Sequence, residues 1–362
     1  MRFQRAQMPG AVVVVTGASS GIGRAIAIAS VTRGARGVLT ARSAGALAQV
    51  ARQCGGARPR AEAARVCEDV TDEGASACVA HLAIVGFGHI DVWVDAAGIG
   101  VLGTIDEVPY ADPFRAGDVN AWAAARDARA ALPYMRSRVQ GVLIDVSSVL
   151  GGVVQAPCMG VYAASEAALT SLDETLRQEL PPTGARGIAV CTVLPAGVGT
   201  PFFTHVGNRP GRRLRALPPT AAPERVARAV VRTAAHPRRR VLVGPGARIL
   251  PWSHAVAPRL VGRAVAWRTE HGYLDAPDTA PDTTGTLYEP CDGAAAVHGG
   301  AHASLRALGR RAAAATVVGA AGVVGGRTVR RRRRPRSGRG VFHLRGGRTH
   351  GTVAPSHTRH AP

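Results

Sequence analysis

Eight residues near the start of the chain, Thr16-Gly17-Ala18-Ser19-Ser20-Gly21-Ile22-Gly23, have the types and spacing to hold a diphosphate. Gly17 permits a tight turn, Gly21 lets backbone approach a pyrophosphate, and Gly23 lets a helix pack close to a strand. Phosphate oxygens would then accept from the unpaired N–H groups of a helix start around Ser19, Ser20, Gly21 and Ile22. A second charged feature is Arg42, directly after the apolar run Gly37–Ala41. At such a strand tip a carboxylate accepts ribose hydroxyls, whereas an arginine pairs a 2′-phosphate. The tip is Ala41-Arg42 with no acid beside it in sequence, so the expected cofactor is NADP rather than NAD.

These residues need elements to place them. Apolar β-branched runs at Val12–Val15, Gly37–Ala41, Arg65–Glu68, Asp91–Val94, Gly141–Val146, Gly187–Val193 and Val241–Val243 read as strands. Helical patterns fill the gaps, including Asp112–Arg138, Gly160–Leu180 and Pro223–Ala235, and Ala247–His271 reads as further helix. Alternation of this kind implies an α/β fold: a doubly wound parallel sheet, Rossmann-type, in three α/β/α layers, forming a single domain. Ligands then collect beyond the C-terminal ends of the strands, where every motif named here falls.

Further motifs follow the strands in order. Asp69-Val70 ends the third, Asp95-Ala96-Ala97-Gly98 the fourth, and Asn120 lies in the helical stretch after it. Ser147-Ser148 ends the fifth, Tyr162 follows Ser148 by 14 residues, and Pro195-Ala196-Gly197-Val198-Gly199-Thr200 ends the sixth. With the TGxxxGxG spacing of the glycine turn, this set resembles the short-chain dehydrogenase/reductase family, over roughly Ala11 to Gly244. The resemblance implies reversible hydride transfer between nicotinamide and a secondary alcohol or carbonyl. Tyr162 would be the acid/base, Ser148 the partner of the carbonyl oxygen, and Asn120 the holder of a relay water. Asp69 and Val70 would contact adenine, although Thr71 or Asp72 as a helix cap explains that segment equally. Ala96, Ala97 and Gly98 would leave room for the cofactor, and Pro195, Gly197 and Thr200 would lie against the nicotinamide. A homo-oligomer is expected by the same analogy.

The sequence departs from the family in two places. Asp95 stands where the family has asparagine, and an ionised carboxylate cannot donate hydrogen bonds. Glu166 stands where the family has lysine, one helical turn after Tyr162. An anion there makes phenolate less accessible, though it still accepts ribose hydroxyls. No lysine occurs anywhere in the chain, and arginine does not relay protons. Impaired turnover is therefore expected, and a catalytically silent dinucleotide-binding protein of the same fold is the alternative. Phe202-Phe203 opens either a substrate lid running to Pro219 or a packing contact.

Net charge is +21, all of the basic residues being arginine. From Ser304 onward 14 arginines meet no acidic residue, leaving 31 against 24 acids before it. Residues 1–271 thus read as the catalytic domain, 272–303 as a Pro/Gly/Asp-rich linker and 304–362 as a basic tail. The tail's apolar run, Ala312–Gly326, is shorter than a bilayer span. It is read as disordered or in weak contact with anionic membrane. It lacks aromatics except Phe342, so no specific nucleic-acid partner is expected. Six scattered cysteines show no CxxC pair, so neither metal nor disulfide is expected. No signal peptide is visible, and a cytoplasmic location follows as the default expectation.

Overall fold

Four consecutive valines, Val12–Val15, form the central strand β1 because both of its faces are covered. Val13 and Val15 join one apolar cluster with Ile26, Leu47 and Val226, while Val12 and Val14 join another with Val79, Ala131 and Met135. Alternate side chains point to opposite faces of a strand, so an unbroken apolar run belongs in a sheet packed by helices on both sides. That arrangement is what a computed structural model of the chain contains. It describes residues 8–57, 62–214, 219–290 and 295–299.

The sheet strands are β1, β2 (Arg36–Ala41), β3 (Ala63–Cys67), β4 (Val92–Asp95), β5 (Gly141–Val146), β6 (Ile188–Pro195) and β7 (Arg240–Val243). They lie all parallel in the order β7-β6-β5-β4-β1-β2-β3. The chain runs outward from β1 through β2 and β3, then resumes at β4 on the other side. The crevice above β1 and β4 is therefore the switch point where such sheets bind ligands. Helices α1 (Gly21–Thr32), α2 (Ala44–Ala57) and α7 (Pro223–Ala235) cover one face. Helices α3 (Ala75–Phe87) and α5 (Ala123–Ser137) cover the other, with α4 (Ala111–Gly117) before α5 and α6 (Gly160–Glu179) after it.

The seven strands match the expected ones to within two residues at each end. Three other expectations change. The helix expected at Asp112–Arg138 is interrupted by a π turn, Asp118–Trp122, which widens the turn that carries Asn120. The helix expected over Ala247–His271 divides at Ala257 into α8 (Leu250–Val256) and α9 (Pro258–Arg268). Proline has no N–H to give and pushes the residue before it out of helical geometry; Ala257 sits at φ −140° and ψ 63°. Within the segment expected as a linker from 272, the described residues pair with the preceding chain. Leu274–Thr279 pairs antiparallel with Arg212–Leu214, Asn208 and Thr283 bridge, and Leu287 is fully buried. A loop-like composition concealed this because the pairing partners lie far away in sequence. The basic tail, 304–362, lies outside the described residues. Among those described, no helix is long and apolar enough to cross a membrane.

Candidate active site

The glycine turn makes the first wall of the site. A Cβ on Gly17 would stand 2.6 Å from the Ala96 carbonyl oxygen, and one on Gly23 only 2.2 Å from the Gly17 carbonyl oxygen. Both neighbours are backbone and cannot yield, so the close packing expected of these glycines is present. Helix α1 starts at Gly21, and its N-cap Ser20 makes no side-chain capping bond. The Gly21 N–H instead donates to the carbonyl of Ala296, 2.9 Å away. An acceptor oxygen thus already sits where an anion at this helix start would place one.

The tips of β1 and β4 are tied together by Thr16. Its hydroxyl donates to Asp95 Oδ1 at 2.6 Å and accepts from the backbone N–H groups of Ala96 and Ala97. Burial raises the Asp95 carboxyl well above the ordinary range, and the nearby Asp127 adds to the effect. Desolvation thus favours the protonated form, the form that could donate as the family's asparagine does, over the ionised one. Ala96, Ala97 and Gly98 line the groove beside it, along with Ser19, Ser20, Ile22, Arg42, Asp69 and Val70.

Arg42 does not stand apart from acid as the sequence suggests. Strands β2 and β3 are neighbours, so their ends meet, and Asp69 Oδ2 lies 3.8 Å from the guanidinium. Arg42 also donates to the carbonyls of Thr286 at 2.6 Å and Tyr288 at 3.0 Å. Burial lowers its pKa, partly offset by Asp69. Asp69 accepts from the Thr71 backbone and hydroxyl and pairs with Arg115. Burial opposes its charge, but these bonds outweigh it and hold the carboxyl below its usual value. Asp69 thus closes a local turn, whereas α3 starts only at Ala75 behind Gly74, so neither Thr71 nor Asp72 caps it.

Asn120 is buried, and its side chain is committed to neighbouring groups. Its Oδ1 accepts from the Ile99 N–H, and its Nδ2 donates to the Ile99 carbonyl and to Ser165 Oγ. Both amide protons are used, so the side chain has none left to offer a water. Ser165 in turn donates to the Tyr162 carbonyl. Asn120 is thereby a positioning residue that fixes the first turn of α6 against the end of β4.

Two cavities meet at Tyr162. The groove just described has a volume of about 220 Å³ and includes Glu166. A second, of about 460 Å³, is lined largely by apolar side chains and includes Ser148. Ile22, Ser147, Tyr162, Thr200 and Phe202 line both. Ser148 Oγ accepts from the Leu150 N–H, which orients it and leaves its proton to donate. Pro195 and Gly197 line the apolar cavity, not the groove. Phe202 packs on Tyr162 with ring centroids 5.3 Å apart, and Phe203 packs on Phe202 at 5.7 Å. Ser147 joins Glu166 to the site and was not singled out from the sequence, where it is one of two adjacent serines. Thr16, and Thr286, Tyr288, Pro290, Ala295 and Ala296 further on, were missed as well.

Glu166 is buried, and its carboxyl hydrogen-bonds the side chains of Ser147 and Tyr162. Burial pushes its pKa up to about 8, so at neutral pH the expected anion is a neutral acid. Its Oε2 has no hydrogen-bond partner among the described residues, yet the residue lines the groove. That orphaned oxygen suits a ribose hydroxyl, and the helix start, without a side-chain cap and with its Gly21 N–H given to the Ala296 carbonyl, suits a diphosphate in that carbonyl's place, so the residues present fit a dinucleotide. The raised pKa also has a consequence for stability. A carboxyl that titrates higher folded than unfolded contributes fully below about pH 4.5, and the contribution is lost as pH rises through about 8. Glu166→Gln, which cannot ionise, is expected to lose less stability than the parent between these limits, by on the order of 3 kcal/mol. Urea unfolding of both proteins across that range checks it; parallel pH dependences would show that Glu166 keeps an ordinary pKa.

Comparison with known proteins agrees with this geometry. The family model described as short chain dehydrogenase matches residues 11–210. The uncharacterized oxidoreductase YxnA of Bacillus subtilis (strain 168) is 31% identical over 286 residues, 77% of this chain and 78% of that protein. A short chain dehydrogenase/reductase from Burkholderia phymatum, solved in complex with NAD, superimposes with a TM-score of 0.61 at 26% identity, covering 71% of this chain and 96% of that one. A metagenomic short-chain oxidoreductase in complex with NADP superimposes with a TM-score of 0.54 at 30% identity, covering 66% and 98%.

Proposed function

Because the chain belongs to the short-chain dehydrogenase/reductase family, whose fold binds NAD(P), we propose that it is an NADP(H)-dependent oxidoreductase. Its substrate would be a secondary alcohol or the corresponding carbonyl. The observation that carries this reading is the junction at Tyr162, where a groove suited to a dinucleotide and an apolar cavity share one phenol. Bound in the groove, the cofactor supplies or takes the hydride. Ser148 donates a hydrogen bond to the carbonyl oxygen as negative charge grows there. Tyr162 Oη delivers the proton to that oxygen, and in the oxidative direction receives it back. Neutral Glu166, bonded to the phenol, can return a proton to it but cannot stabilise a phenolate as a cation would. Arg42 supports NADP over NAD, since a guanidinium beside the second strand tip matches a 2′-phosphate.

Glu166 supports a second reading, a dinucleotide-binding protein with little turnover. Titration with NADPH and NADH, followed by cofactor fluorescence, separates the two from one another and from failure. The enzymatic reading expects saturable NADPH uptake tighter than that of NADH, and carbonyl reduction that Tyr162→Phe lowers by roughly 10²–10⁴-fold without loss of binding. Tight uptake without turnover in the natural sequence selects the second reading. Absence of saturable uptake of either nucleotide overturns both.

A further inference from the structure

We propose that helices α8 and α9 dock this protein on an anionic lipid surface, and that the apolar cavity beneath them takes a lipid-soluble carbonyl or alcohol. The second half rests on the oxidoreductase reading; the first does not.

The pair is two-sided. Ala247, Leu250, Val265 and Thr269 line the apolar cavity that reaches Ser148 and Tyr162. The other side carries Ile249, Trp252, Val256, Leu260 and Trp267, of which Trp252 is 77% and Trp267 66% exposed. Five large apolar side chains left in water within 19 residues of one another form a patch that a monomer's solubility does not explain. Tryptophan, with an apolar body and one N–H, is the side chain that favours the boundary between lipid and water.

Charge chooses the occupant. From Gly246 to Thr269 the sequence holds Arg248, Arg259, Arg263 and Arg268 and no aspartate or glutamate. Arg248, Arg259 and Arg263 are exposed among the apolar residues. Two copies of this chain meeting face to face would set arginine against arginine, since a two-fold interface brings the same patch together. An anionic bilayer meets both features at once, each arginine near its surface strengthening binding roughly fivefold. The sequence after Ser304, rich in arginine and free of acid, has the same sign.

The cavity's chemistry agrees with such a location. Leu150, Val154, Met159, Phe203 and Leu214 form much of its wall, with Ser148 and Tyr162 at the reacting end and the partly solvent-facing Arg268 also lining it. A molecule that fits is apolar along its length with one oxygen at its reacting end. Such a molecule partitions into membrane, on the side of the roof that α8 and α9 present.

The test uses the full chain in a Trp122→Phe background, because Trp122 is the other exposed tryptophan. Vesicles of phosphatidylglycerol and phosphatidylcholine carrying brominated acyl chains are expected to quench the fluorescence of Trp252 and Trp267. Pure phosphatidylcholine should quench much less. Val256→Glu/Leu260→Glu, which touches neither cavity, is expected to lower partition by more than roughly tenfold while NADPH uptake stays unchanged. Co-sedimentation without quenching means that the basic tail alone binds, and overturns the docking face. A dimer that this double variant splits, with no uptake by vesicles, overturns it in favour of a second copy. For the cavity, 2-decanone is expected to be reduced with a kcat/KM at least tenfold above that of 2-butanone; equal values overturn the substrate class. Quenching without any NADPH uptake would sink the oxidoreductase reading and leave the docking face standing.

Discussion

Glu166→Lys is expected to raise carbonyl reduction by roughly 10²-fold, toward the low end of what well-placed acid/base assistance supplies. The parent carboxyl, neutral below about pH 8, accepts a hydrogen bond from the phenol of Tyr162 but brings no positive charge to it. An ammonium at the same position, one helical turn from the phenol, favours the phenolate that remains once the proton has gone to product. It also has donors for the ribose hydroxyls that Glu166 Oε2 is placed to meet. Room for the longer side chain exists on the groove side, which residue 166 already lines. The gain should lie in kcat, with little change in KM for NADPH, because the altered interaction matters most in the transition state. In the oxidative direction the rising limb of the pH–rate profile should move to lower pH. Tyr162→Phe combined with Glu166→Lys should return to background, which ties the gain to the phenol. A kcat that stays level or falls would show that the neutral acid is itself a working member of the relay.

How far the sequence reveals this site depends on the distance over which each feature is encoded. The glycine turn, the strand tips and the Ser148–Tyr162 pair are local patterns, and the structure gathers Gly17, Gly21, Ala96, Ser148, Tyr162 and Thr200 around two adjoining cavities. Charge states were not legible. Asp95 and Glu166 look like ordinary anions in a string of letters, and only burial pushes both carboxyls upward, Glu166 to about 8. Pairings across strands were hidden too: Arg42 and Asp69 are 27 positions apart yet meet because β2 and β3 are neighbours. The partners of Asn120 were hidden for a similar reason, since Ile99 and Ser165, which take its amide protons, lie 21 and 45 positions away. The largest omission was the stretch after residue 280. Its Pro, Gly, Asp and Thr content gives no period, and its importance lies wholly in what it crosses.

That stretch leads to a second large effect: Gly299→Val is expected to tighten NADPH binding by roughly tenfold. The segment holds the groove's own donors. Ala296 accepts from Gly21 N–H, Ala295 accepts from Arg24, and Thr286 and Tyr288 accept from Arg42. Thr286, Pro290 and Ala295 also line the groove itself. On the proposed reading, a diphosphate at the helix start and a 2′-phosphate at Arg42 would therefore compete with backbone carbonyls of the same chain. When the binding-competent form is only a fraction of the population, apparent affinity falls by that fraction, so a segment seated nine times in ten weakens binding about tenfold. Gly299 offers a way to unseat it without altering a cofactor-facing residue. Its N–H donates to the Gly199 carbonyl, and a Cβ there would stand 2.2 Å from the Thr200 carbonyl oxygen. A valine cannot be accommodated against that backbone, so the segment must lift. Leu287, fully buried beside Val101 and Val108, anchors the earlier part of the strand-to-groove path and should hold the rest of the fold in place. Calorimetric titration of NADPH into parent and variant measures the effect, with unfolding curves confirming that both are intact. Weaker binding in the variant would mean the reverse relation, in which the segment closes over the cofactor and contributes to its affinity.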